Sequence, residues 1–160
     1  MHKIQYIYGI KNQSKINNMI KDIHSYWAYI VLAILIFAVF NAVTGFAKKK
    51  TFTNKDVRIG LFTLIVAHIQ LLIGLAWYFM SPVYKALKTN GGEVMKDSAA
   101  RLLAVEHPLM MIIAIVFITI GWSKHKKKTT DTAKFKTFTI FYGIALLLVL
   151  SRIPWSSWIG

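Results

Sequence analysis

The sequence predicts an all-α integral membrane protein, a four-helix bundle running up-down-up-down, and three observations predict it. Of its 160 residues 56% are hydrophobic and only 16% charged, against about 25% charged in an average soluble domain. The apolar residues gather into four long blocks rather than amphipathic faces, and Lys-rich loops separate the blocks. Three of the blocks reach the roughly 20 residues that a helix needs to cross a bilayer. The polar segments are too short for a second domain, so one membrane domain, residues 24–160, follows a basic tail over 1–23.

The tail lacks the apolar h-region and small-residue cleavage site of a signal peptide and reads as interfacial or flexible. Met19 is a candidate start of the native protein, because membrane-like character begins just after it; N-terminal sequencing checks this. The first span covers about 25–47, opened by His24, Tyr26 and Trp27 and closed by Lys48, Lys49 and Lys50. The second, about 59–80, has Trp77 and Tyr78 near its end and stops at Ser81-Pro82. A polar loop follows, with the turn signal Asn90-Gly91-Gly92. Asp97 stands where a carboxylate favours the start of a helix, and the third span runs over about 102–122. A loop from Lys124 to Lys136 leads to a shorter fourth span, about 137–151, which Lys136 and Arg152 lengthen by snorkelling.

The net charge of +14 sits beside the spans, where it sets topology and meets anionic lipid headgroups. Lipid, not nucleic acid, is therefore the expected partner. Lys48, Lys49, Lys50, Lys55 and Arg58 fall in the first inter-span loop, and Lys124, Lys126, Lys127, Lys128, Lys134 and Lys136 in the third. The positive-inside rule puts these loops in the cytoplasm and both termini outside. Trp27, Trp77, Trp155 and Trp158 then belong to an outer aromatic belt. Cysteine is absent, which excludes disulfides, thiolate metal sites and covalent c-type haem attachment.

Chemistry points to the histidines. Of the five, His2 in the tail and His125 among lysines read as solvated. An ionisable side chain inside a span is costly and functional by default. Counted from the inner ends at ~1.5 Å per residue, His68 lies about 16 Å deep and His107 about 22 Å. His24, about 34 Å away, falls near the outer surface. His68 and His107 are thus the pair closest in depth, on different helices. Two such imidazoles suit the axial positions of one non-covalent haem b. His24 reads as a further haem-site candidate, a quinone hydrogen-bonding group or an interfacial anchor.

Gly60, Ala67 and Gly74, seven residues apart, form a small-residue stripe that makes room either for a flat ring or for close helix contact. Gly143 and Ala145 offer similar room on the fourth span. Arg101 and Arg152 are expected on the outer side as partners for haem propionates, or as plain topology-setting cations. Glu106 pairs with one of them, exchanges protons, or is buried neutral. Gln70 is a candidate to tune the imidazoles by hydrogen bonding. Met110 and Met111 read as packing.

Taken together, His24-Ser25-x-Trp27, the run Ala67 to Gly74 through His68 and Gln70, Met95-Lys96-Asp97, Arg101, Val105-Glu106-His107-Pro108, Gly121-Trp122-Ser123-Lys124 and Arg152-Ile153-Pro154-Trp155 carry a resemblance. Over about residues 19–158 the chain resembles the small four-span, cytochrome b-like membrane proteins of Bacteroidetes-type bacteria. The resemblance implies haem b, electron transfer and an inner-membrane location. Two functions follow as expectations. One is a b-type cytochrome or accessory electron-transfer subunit, working with other respiratory or membrane-complex subunits or with quinone. The alternative is a haem-free structural or assembly subunit with a buried His/Glu core. No catalytic motif is present.

Overall fold

A computed structural model describes the backbone of residues 2–158 and the side chains of residues 14–156 and 158; the side chain of His2 lies outside the described residues. Helix makes up 90% of the chain. In order, the elements are α1 (His2–Ala47), α2 (Asn54–Met80), α3 (Pro82–Lys96), α4 (Ser98–Arg101), a π-helical turn (Leu102–Glu106), α5 (His107–His125), α6 (Asp131–Arg152) and α7 (Trp155–Trp158). Four segments are long and apolar enough to cross a membrane: Ser14–Ala47, Asn54–Met80, Ser98–His125 and Asp131–Arg152. Their outer faces agree with that reading. Phe37, Phe40, Phe62, Leu72 and Leu147 are each more than half exposed, as side chains turned to lipid are.

Each long helix packs mainly on two others, α1 on α2 and α6, and α5 on α6 and α2. Lipid chains are as apolar as leucine, so helices associate by close packing and interhelical hydrogen bonds. The centre shows both. Tyr142 of α6 is fully buried and donates its hydroxyl to Gly60 O of α2 at 2.9 Å. A Cβ added at Gly60 would stand 2.7 Å from Phe138 Cζ, and one at Gly121 would stand 2.7 Å from Phe141 Cβ. Glycines on α2 and α5 thus form the notch that the aromatic face of α6 fills. At one end, Asn41 Nδ2 donates to Asp56 Oδ1 at 2.8 Å, while Asp56 Oδ2 accepts from Thr53 N at 2.8 Å.

Several local expectations change. One helix covers both the expected tail and the first span. It ends where Lys49 takes a left-handed φ of 48°, and Lys50 N reaches back to Gly45 O at 3.0 Å. The expected loop after α2 is a helix, α3, started by Ser81 Oγ accepting from Tyr84 N. Its turn signal survives as a kink at Asn90 (φ −136°, ψ 44°). Asp97 does cap the next helix, accepting from Ala100 N at 2.7 Å. His125 is buried rather than solvated, with Phe52, Trp122 and Phe138 around its ring.

The π-helical turn has an identifiable cause. Pro108 has no N–H, and its ring would press on the carbonyl of Ala104, four residues back. The helix widens there, with His107 N bonding to Leu102 O. Tyr78 of α2 reaches across and donates to Ala104 O at 2.8 Å. Because Ala104 is buried, Tyr78→Phe should cost about 1–3 kcal/mol by leaving that carbonyl short of a donor. Unfolding in mixed detergent micelles checks this. In a Pro108→Ala background, where an N–H returns, the same substitution should cost less than about 1 kcal/mol.

Candidate functional site

A cavity of about 310 Å³ lies among α1, α2, α5 and the segment after α6, at the lower end of the range for small-molecule and cofactor sites. Most of its wall is apolar, from residues such as Leu35, Ala67, Ile118 and Val149. Its polar lining is short: Lys21, His24, Ser25, Gln70 and His107, with Trp77 and Tyr78 beside them.

Each histidine is set by a different element. His24 sits well inside the continuous α1, and a glycine of α2 makes room for it. A Cβ on Gly74 would meet His24 Cε1 at 2.8 Å. Trp77, one turn along α2, stacks on the His24 ring with centroids 6.0 Å apart and planes at 21°. His107 follows directly on the π-helical turn. Its Nδ1 lies 2.8 Å from Arg152 O; a carbonyl only accepts, so this nitrogen donates and Nε2 keeps a lone pair in the neutral ring. The two imidazoles are neighbours in an edge-on arrangement, with centroids 6.3 Å apart and planes at 85°.

Two buried polar atoms at this wall have no hydrogen-bond partner, His24 Nδ1 and Gln70 Oε1. The rest of the Gln70 amide is engaged, Nε2 donating to His24 O at 3.0 Å. One helical turn away Trp27 Nε1 donates to Val66 O at 3.2 Å. Side chains thus lock α1 to α2 on either side of His24, while the ring itself is left free to bind.

Depth counting pairs His68 with His107, but the imidazole beside His107 is His24. Depth along a helix says nothing about which way a residue turns, and His68 turns out of the cavity. Its Nε2 lies 3.5 Å from Thr119 Oγ1 of α5, and its Nδ1 lies 2.8 Å from Leu64 O. Arg101 and Arg152 do stand together, but they flank Glu106 rather than line the cavity. Arg101 Nε donates to Glu106 Oε1 at 2.8 Å. Arg152 Nε lies 3.2 Å from Glu106 Oε2, a charge contact without hydrogen-bond alignment. The cation that lines the cavity is Lys21, which the sequence reading left in the tail. Its position three residues before His24, on the same helical face, was the available signal.

The small-residue stripe serves both expected purposes. Gly60 takes an aromatic ring of α6, Ala67 lines the cavity, and Gly74 receives a histidine. A Cβ at Gly143 would meet nothing within 4 Å, so that glycine shapes neither. No cluster of three or more His, Cys, Asp or Glu placed to hold a metal ion occurs among the described residues. The two imidazoles of His24 and His107 are the nitrogen ligands that this wall brings together.

Gly74→Ala should push the His24 ring off its seat. The expected result is a shifted His24 signal in the ¹⁵N spectrum of histidine-labelled protein, with His68 unmoved and Gly143→Ala changing neither. No protein-family model, curated protein or solved structure matches the chain.

Proposed function

We propose that this chain is a multi-pass protein of the bacterial inner membrane that carries one non-covalent b-type haem. It passes single electrons as a membrane cytochrome or as an accessory subunit of a larger respiratory or membrane complex. In this reading the four spans run up-down-up-down with both termini outside. Supporting contacts come from both ends of the helices: Gln70 of α2 meets His24 of α1, whereas Asp56 meets Asn41.

The carrying observation is the neighbouring pair His24 and His107 at a cavity wall that holds two unpartnered polar atoms. These two histidines, in place of His68 and His107, would hold the haem, which would supply a reversible one-electron iron couple.

The chain's own residues do the rest. Arg152 O holds the His107 ring by Nδ1, which orients it and raises its donor strength. Gly74 and Trp77 fix the His24 ring from the other side. Leu35, Ala67, Ile118 and Val149 exclude water, which holds the potential through burial. Lys21, the cation on the cavity lining, would pair with an anionic propionate, with Arg101 and Arg152 nearby on Glu106. A haem-free structural subunit would leave the buried His24 Nδ1 without a partner, at about 1–3 kcal/mol. That cost disfavours the alternative.

Protein purified in mild detergent and reduced with dithionite is expected to show the sharp α-band of low-spin haem b, at one haem per chain. His24→Ala and His107→Ala should each abolish the low-spin signature, and His68→Ala should keep it. Loss of the signature in His68→Ala, with His24→Ala unaffected, would restore the pairing by depth. Colourless protein after expression with haem supply would remove the cytochrome reading altogether.

A further inference from the structure

The two ends of the bundle treat their cations differently. At the end that carries Arg152, Glu93 pairs with Lys96, and Glu106 with Arg101 and Arg152. At the other end, the exposed lysines of the first and third loops make no ion pair among the described residues. Half-buried Lys134 does reach a carboxylate, Asp131 at 4.0 Å. Asp56 is already spent on Asn41 and Thr53.

Tertiary packing gathers part of this charge at one seam. A Cβ added at Gly45 would collide with the Phe135 ring, so the last turn of α1 lies against the first turns of α6. Phe52, just after Lys50, packs on Phe135 with centroids 4.9 Å apart, and Lys134 Nζ lies 5.5 Å from the Phe52 centroid. Lys48, Lys50, Lys134 and Lys136 therefore stand at the head of the α1–α6 seam. The seam continues as an apolar groove of about 470 Å³, lined by Val39 and Val43 of α1 and by Thr139, Ile140, Gly143 and Leu147 of α6. Its mouth is close to the charge: Val43 precedes Lys48 by five residues and Thr139 follows Lys136 by three, ~8 Å and ~5 Å of helix. A Cβ at Gly143 would meet nothing within 4 Å, and Val43, Ile140 and Leu147 are exposed, so the groove opens on the lipid side.

We propose that this groove and its cationic rim bind one anionic phospholipid. The headgroup phosphate sits on Lys48, Lys50 and Lys136, and an acyl chain runs along α6 past Gly143. From Thr139 to Leu147 is eight residues, about 12 Å of helix, against about 15 Å for one leaflet of the hydrocarbon core. Charge complementarity selects the headgroup, because unpaired lysines at the membrane surface favour net negative lipid. A packed helix would fill the groove and leave the lysines uncompensated; a soluble phosphate would meet the lysines and leave the groove empty. A phospholipid satisfies both. The proposal rests on the membrane reading and is independent of the haem.

Protein in mild detergent is incubated with equal amounts of dioleoyl phosphatidylglycerol and dioleoyl phosphatidylcholine, and retained lipid is counted by native mass spectrometry. One phosphatidylglycerol per chain is expected, with about tenfold preference over phosphatidylcholine. Lys48→Gln, Lys50→Gln and Lys136→Gln together should bring the preference to near parity. Gly143→Leu, which fills the groove and keeps every lysine, should lower retention of both lipids. His24→Ala, and Lys85→Gln with Lys88→Gln and Lys96→Gln at the other end, should change neither result. Equal retention of the two lipids by the native chain would overturn the proposal, as would full retention in Gly143→Leu or an unchanged preference in the inner-end triple variant. Displacement of the lipid by an equal concentration of glycerophosphoglycerol, the headgroup without tails, would reassign the lysines to a soluble phosphate and overturn it. A dimer that retains no lipid and is lost in Gly143→Leu would overturn it in favour of a contact between copies.

Discussion

One carbonyl organises much of this molecule. Pro108 withholds the N–H that would have bonded Ala104 O, and the helix widens by a π-helical turn to relieve the proline ring. Inside a bilayer no water can replace that donor. The hydroxyl of Tyr78 replaces it, at 2.8 Å. The same bond fastens α2 to the third span three residues before His107, the histidine that follows the turn and bonds Arg152 O at the cavity wall.

The bundle treats its polar groups in two ways. Those that hold helices together are spent on backbone carbonyls: Trp27 on Val66, Gln70 on His24, Tyr142 on Gly60. Such bonds rigidify without leaving anything over. Others are left with unused capacity: His24 Nδ1 and Gln70 Oε1 at the apolar cavity, and Thr139 Oγ1 on α6. Unused hydrogen-bonding capacity is expensive in a dry environment, and the two atoms that share one cavity wall are the physical reason to read that wall as a binding site. Glu106 is the counterexample: flanked by Arg101 and Arg152, it is fully occupied and reads as an anchor for the ends of the third and fourth spans.

Much of the architecture was legible along the chain. Blocks of apolar residues gave four spans, Ser81-Pro82 marked the end of the second and Asp97 a helix start, where the structure has them. Small residues at 60, 67 and 74 announced one helix face. Other features were misread for local reasons. Asn90-Gly91-Gly92 carries a turn signal, but a helix accommodates it as a single kinked residue. His125 lies in a lysine-rich stretch, yet the lysines extend outward while three aromatic rings enclose the imidazole. Lys21 looked like tail because polarity rises before Ser25, although helix continues through it.

The sequence by itself determined that the chain is helical and membrane-like, and which few polar residues lie in its spans, because burying a side chain in lipid depends on its own chemistry. Depth was only partly readable: counting rise per residue set His24 about 12 Å beyond His107, whereas their rings lie 6.3 Å apart, because helix tilt and the turn before Pro108 are not properties of one segment. Which histidines meet was decided only by tertiary structure. Pairing depends on the rotation of each helix, on the turn inserted before Pro108 and on the space that Gly74 leaves for His24. None of these is a property of one segment. They arise only when α1, α2 and the third span pack together, through contacts such as the Tyr78 bond to Ala104 O and the seat of His24 on Gly74.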